Sequence, residues 1–453
     1  TQKLNVDVAG GTLYAGSALD IQSQAFNANN AKIQAKDTLK VNANTDIALQ
    51  NTVLDAADLQ VKSNAFTAQD SQLKSAQNIT IQTAQDLKLK NTDAEVQNNV
   101  VLSSASGNME LAGGKLKAGT ALDLKANHLA LSAQTSAANT NIQAQQFTLD
   151  ENGLIVSLNN TALNASNADI WGQMYSSAAN FNIGGTLNSA NKTLVSVLNL
   201  NTVNAKDLNL KGLWEAGNLT LTAVNSLQQA GAIYAQNNLA FQANAMSLTG
   251  AVQAGHKLNA NAVQQLTVDS QAQLFSSDSI ELSADAIQLD GYAGAENSMT
   301  AIAANNLTAG TAAQLESNGL IALQSKNADI DLQGKTYAQN QTISAQKNLN
   351  IAAGASVTTV GDLNITADTL NNTGAVNTQQ LTKAQLKKLN NQGSLISDKF
   401  ELGTLDSLNN SGKLISNQDL ELNTAALTNT QNSILAGNSN LNLHINGADF
   451  NNQ

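Results

Sequence analysis

The sequence predicts an all-β solenoid, a parallel β-helix whose coils are about twenty residues long and hold three short strands each. Three observations lead there. An apolar pair returns at a nearly fixed interval, at Leu19/Ile21, Leu39/Val41, Leu59/Val61 and Ile79/Ile81, and again at Leu219/Leu221, Leu239/Phe241, Leu258/Ala260 and Ile280/Leu282. Within each interval the apolar residues stand at i and i+2, the period of a strand with one buried face. The chain has no proline, which would delete a ladder hydrogen bond from a strand paired on both sides.

The elements follow in order. The first coil reads Leu19/Ile21, Phe26/Ala28 and Ile33/Ala35, and the second Leu39/Val41, Ile47/Leu49 and Leu54/Ala56. A third reads Leu59/Val61, Phe66/Ala68 and Leu73. Asn, Gln, Asp, Thr, Ser and Lys separate the pairs and suit turns and solvated positions. Stacked in register, such units pair each strand with its equivalent in the next coil. Hydrophobic residues reach 42% while aromatics are 3%, because a narrow interior accepts Leu, Ile, Val and Ala more readily than rings. Asn and Gln recur at matching turn positions, where their amides can stack in hydrogen-bonded ladders. A chain of 453 residues would ordinarily divide into several globular domains. Here length adds coils, so one continuous body is expected over 1–453. At about 4.8 Å per coil it would be an elongated rod on the order of 100 Å long.

Helical solenoids are the structural rival, but their units need about 33 to 47 residues. Two stretches break the beat. Over about 378–392, Leu381, Leu386 and Leu389 stand at i, i+5 and i+8 among lysines, which reads as a short amphipathic helical insertion or an irregular coil. Over about 145–215 the pattern scans poorly, and Trp171, Tyr175, Phe181 and Trp214 gather there. These four are the candidate binding residues. Either the rings fill a wider or bent coil, or a protruding loop exposes them to a partner, since Trp and Tyr dominate binding hot spots.

Charge and chemistry narrow the function. The net charge is −11, and all 23 basic residues are lysine. An acidic, arginine-free surface argues against nucleic acid, which needs basic patches on phosphate, and against anionic membranes. No stretch approaches the ~18 apolar residues of a membrane span, and residues 1–20 show no signal-peptide pattern. The absence of cysteine removes disulfides and thiolate metal sites. His128, His256 and His444 stand far apart without ligands at metal spacing, and no nucleophile elbow, Walker loop, Rossmann fingerprint or calcium nonapeptide occurs. No metal or small-molecule cofactor is expected, and folding should survive chelators. Parallel β-helices also host polysaccharide lyases and polygalacturonases. The lyases resemble one another in using an arginine base, which this chain lacks. Asn44-Thr45-Asp46 and Asn91-Thr92-Asp93 resemble one polygalacturonase element, but the Asp-Asp, Gly-His-Gly and Arg-Ile-Lys elements that complete it are missing. No enzyme is expected.

The C-terminal part reads Leu370-Asn371-Asn372-Thr373-Gly374, then Leu389-Asn390-Asn391-Gln392-Gly393, then Leu408-Asn409-Asn410-Ser411-Gly412, each followed by a strand pair. This alternation resembles the filamentous-haemagglutinin repeats of two-partner-secreted bacterial exoproteins, a family that includes the contact-dependent growth-inhibition effectors. The likeness is specific over 361–453 and looser over 10–140 and 217–360. It implies a right-handed parallel β-helix at the surface of a Gram-negative cell, secreted unfolded through an outer-membrane partner. The family's Asn-Pro-Asn secretion motif is absent, as is a recognisable toxin domain. The resemblance therefore implies an internal segment, stalk or receptor-binding region.

Two functional classes follow. One is a binding module that meets a protein or glycan receptor on a target cell, for adhesion or contact-dependent growth inhibition. The other is a passive stalk that sets distance. A binding region should break its repeat and expose aromatics, whereas a stalk should stay regular.

Overall fold

The Leu-x-Leu pairs do become stacked strands. The computed structural model describes residues 4–452, which contain strands and turns and no helix. The chain divides into two compact units, Thr1–Val224 and Asn225–Gln453, and each is a parallel β-helix with three sheets per coil. In unit one the first sheet holds the expected column: Leu19 pairs with Leu39, Leu39 with Leu59, Leu59 with Ile79, and Ile79 with Val100. From Leu39 onward these side chains are fully buried, each contributing about 1.5–3 kcal/mol relative to exposure. The second sheet stacks Phe26, Ile47, Phe66, Leu87 and Met109. The third, short sheet stacks Ile33, Leu54, Leu73, Ala94 and Leu116. Alternate side chains point out, so each sheet also presents an outward column.

Asn at one corner of the coil has a backbone cause. The corner between the second and third sheets places one residue per coil in the left-handed region: Asn30 (φ 53°), Asn51 (48°), Asp70 (49°), Asn91 (47°) and Gly113 (66°). Asn, Asp and Gly tolerate that region best. The following hydroxyl turns inward and donates back to a carbonyl: Thr52 to Gln50 at 2.9 Å, Ser71 to Gln69 at 2.8 Å and Thr92 to Lys90 at 3.1 Å. Asn91-Thr92-Asp93 is thus a corner of the coil.

Residues 145–215 remain strand and turn, with register shifts after Ala137, Ser157 and Ala179. The interior turns polar beside those shifts. Ser157 Oγ donates to Thr140 Oγ1 at 2.7 Å and receives Thr161 Oγ1 at 2.8 Å, so three buried hydroxyls satisfy one another.

Unit two repeats the plan, with Leu239, Leu258, Ile280, Met299 and Ile321 stacked in its first sheet. In its last coils the Leu-Asn-Asn-x-Gly motif acquires a physical meaning at each position. Leu370, Leu389, Leu408 and Leu427 stack inside. The first Asn points outward, Asn390 donating to Asn371 and Asn409 to Asn390, both at 2.9 Å. The second Asn is buried: Asn372 donates to Asn391, Asn391 to Asn410 and Asn410 to Asn429, each at 2.8 Å. The glycine lets the corner close, since a Cβ at Gly393 would lie 2.0 Å from the Gly374 carbonyl oxygen.

The helical alternative for 378–392 is overturned. Ala375–Asn391 is strand, with Leu381 paired to Phe400, Leu386 to Ala367 and Leu389 to Leu370. All three leucines are buried. Ladder bonds to the coils on both sides outweigh helix propensity here, and a register shift between Leu381 and Ala384 absorbs the extra residues. The side chains of 382–384 lie outside the described residues.

Candidate binding face

The four aromatic candidates separate into two pairs. Trp214 follows Val195 in the inward column of the third sheet, and Phe181 follows Leu163 in the first. Trp214 is 1% exposed and Phe181 0%. Their rings meet edge to face, with centroids 6.3 Å apart and an interplanar angle of 74°, a favourable quadrupole geometry. The indole Nε1 donates to Ser189 Oγ at 3.2 Å, so its one polar atom is satisfied. These two residues are core, which corrects their place among the binding candidates. Trp171 and Tyr175 are 38% and 37% exposed. Trp171 stands on the turn before the third sheet, and Tyr175 on that sheet's outward face.

Tyr175 belongs to a pattern that reading the beat missed. All five tyrosines of the chain, Tyr14 and Tyr175 in unit one and Tyr234, Tyr292 and Tyr337 in unit two, occupy outward positions of the third sheet of their own unit. Four of them close the same frame, at Gly11-Thr12-Leu13-Tyr14, Gly172-Gln173-Met174-Tyr175, Gly231-Ala232-Ile233-Tyr234 and Gly334-Lys335-Thr336-Tyr337. That Gly-x-x-Tyr recurrence was the available signal. At two of these corners the glycine is sterically required. A Cβ would lie 2.4 Å from the Asp150 carbonyl oxygen at Gly172, and 2.4 Å from that of Ala313 at Gly334.

In unit one the outward column of this sheet starts at Tyr14 and then turns polar and charged, through Gln34, Asp55, Lys74, Glu95 and Lys117. Lys117 Nζ lies 2.8 Å from Glu95 Oε1. That hydrogen bond and charge hold the Glu95 carboxyl below, and the Lys117 ammonium above, their ordinary ranges. Farther along, apolar residues join the face between Gln173, Ser196 and Glu215. Val156 pairs with Tyr175, and Leu194 with Leu213, while Leu158 and Leu198 are 67% and 62% exposed.

In unit two the outward column runs Tyr234, Gln253, Phe275, Gly294, Glu316 and Tyr337. Tyr292, in the neighbouring outward column, lays its ring over Gly294: a Cβ there would sit 2.3 Å from the phenolic oxygen. The Tyr292 hydroxyl then donates to Glu316 Oε2 at 3.3 Å. Burial first, and the charge and hydrogen bond of Glu316 next, push the Tyr292 phenol above its usual value.

Reactive chemistry is sparse. Among the described residues no group of three or more His, Asp and Glu is placed to hold a metal ion, and no helix is long and apolar enough to cross a membrane. His444 Nε2 lies 3.9 Å from Glu421 Oε1, and His128 sits in the outward column of the second sheet beside Gln146. An open groove on unit one is lined by Ser104, Ser106, Lys125, Asn127, Gln143 and Asn164, where Ser104 Oγ donates to the Gln85 carbonyl at 2.6 Å and Ser106 Oγ to the Ala84 carbonyl at 2.8 Å. Compared with known proteins, the chain matches no family model, no curated protein and no solved structure.

Proposed function

We propose that this chain is an internal β-helical segment of a large secreted bacterial exoprotein of the filamentous-haemagglutinin type, and that it meets a receptor on a target cell. The Leu-Asn-Asn-x-Gly repeats support the family assignment. Export through an outer-membrane secretion partner, residence at the cell surface and a role in adhesion or contact-dependent growth inhibition belong to the same proposal. The observation that carries the binding role is the confinement of every tyrosine to the outward face of the third sheet of its own unit. A spacer needs only solvated polar residues on its outside. A contact surface needs side chains that bury large area with few rotatable bonds, and Tyr supplies this.

The test is whether the purified chain coats Gram-negative target cells saturably and blocks attachment by the parent protein. Variants Trp171→Ala and Tyr175→Ala would assign a contact to unit one. A chain that binds no cell type, with correct folding shown by circular dichroism, would leave the stalk reading in its place.

A further inference from the structure

The tyrosine face of unit two has a geometry that selects a ligand class. We infer that it binds an uncharged linear polysaccharide lying along the stack of coils over Tyr234, Phe275, Tyr292 and Tyr337. The inference rests on the binding role above and names its partner chemistry.

Four observations support it. First, the column is a ladder: Tyr234, Gln253, Phe275, Gly294, Glu316 and Tyr337 occupy successive coils, with about 4.8 Å between neighbouring rungs. An extended polymer following the column meets a ring, an amide, a second ring, Tyr292 over Gly294, a carboxylate and a final ring. Second, Gly294 creates a place for a ring that lies down. Residue 294 has no side chain, the Tyr292 ring fills its position, and Glu316 tethers the hydroxyl. A ring resting on the sheet turns a face outward, and the C–H face of a pyranose packs against an aromatic face.

Third, polar side chains interrupt the rings, which are adjacent only at Phe275 and Tyr292. Gln253 and Glu316 separate them in their own column, and Gln273 and Gln314 flank Tyr292 in the neighbouring one. Amides and a carboxylate between rings match the equatorial hydroxyls between the C–H faces of a sugar chain. A protein hot spot would instead want a continuous apolar centre sealed from water. Fourth, charge complementarity points to a neutral occupant. Between 232 and 337 the two outward columns carry one carboxylate, Glu316, and one ammonium, Lys335, on a chain of net charge −11. Sulfated or phosphorylated polymers would be repelled by the chain as a whole.

The experiment measures the full chain against cello-, laminari-, xylo-, manno- and chito-oligosaccharides by calorimetry, and against the parent polysaccharides by affinity electrophoresis. At least one should bind. Tyr337→Ala and Phe275→Ala should each weaken it about tenfold or more, Tyr337→Phe by less than about threefold, and Gln60→Asp, on the outward face of the first sheet of unit one, not at all. A fold change of ten corresponds to about 1.4 kcal/mol. Binding should be insensitive to salt, because no ion pair forms. Failure of every sugar to bind a folded chain overturns the inference. So does equal binding by the ring-to-alanine variants, a steep fall with salt, or displacement by a proline-rich peptide, the other extended polymer that uses aromatic ladders. Cell coating measured on the same samples separates the two claims. Coating that no oligosaccharide competes keeps the receptor role and rejects the sugar. Sugar binding without coating keeps the sugar and rejects the receptor role.

Discussion

The buried asparagine ladder offers the sharpest test of what holds the last coils together. Asn391 is 0% exposed. Its Nδ2 donates to Asn410 Oδ1 at 2.8 Å and to the Lys413 carbonyl at 2.9 Å, and its Oδ1 receives Asn372 Nδ2 at 2.8 Å. Asn391→Ala breaks all three. Asn372 keeps a bond to the Ser394 carbonyl at 3.1 Å, so the damage falls on Asn410 Oδ1 and the Lys413 carbonyl. A stranded buried polar group costs about 1–3 kcal/mol, and the two together about 3–5 kcal/mol once non-additivity is allowed for. Asn391→Asp should cost more, since a carboxylate cannot donate to Asn410 Oδ1 and would bury a charge. Asn390→Ala, one residue earlier on the outward ladder, should cost below about 1 kcal/mol because water replaces its partners. Hydrogen exchange of peptides from 370–430 reads the local opening free energy, which suits a solenoid whose coils do not unfold as one unit. Equal protection in Asn391→Ala and Asn390→Ala would refute the claim that burial gives the inner ladder its strength.

Three further outcomes follow from the same coordinates. Leu59→Asp should destabilise by several kcal/mol, while Gln60→Asp, on the outward face one residue later, stays within about 0.5 kcal/mol, as read from urea midpoints. Trp214→Ala should cost about 3–5 kcal/mol through the cavity it leaves against Phe181, whereas Trp171→Ala should leave the melting curve within about a degree. The Tyr292 phenol is raised in the folded chain, so its contribution is complete below the ordinary tyrosine value near about 10. It is lost as pH rises through the raised one. Phenolate absorbance should therefore show a step above the ordinary tyrosine range, and Tyr292→Phe should remove that step.

The sequence by itself determined the class of fold, because both periods that define it run along the chain. Alternation at i and i+2 marks one buried face per strand, and the return of Leu19 at Leu39 and Leu59 marks strands that can pair only with copies of themselves. It also specified the corners, where Asn51, Asp70 and Asn91 adopt a backbone conformation that few residues accept, and the Asn ladders of the last coils. Tertiary structure decided the rest. The Leu381–Leu389 spacing suits a helix in isolation, but ladder bonds to Leu363 and Phe400 on either side make it strand. Trp171 directly precedes Gly172, whereas Trp214 follows Gly212 by two positions, and the register shows that the first place is a turn and the second an inward one. The tyrosine face of unit two escaped the reading of the beat for the same reason. The residues between one Tyr and the next change in number from coil to coil, so their alignment appears only when cross-strand hydrogen bonds count coils instead of residues.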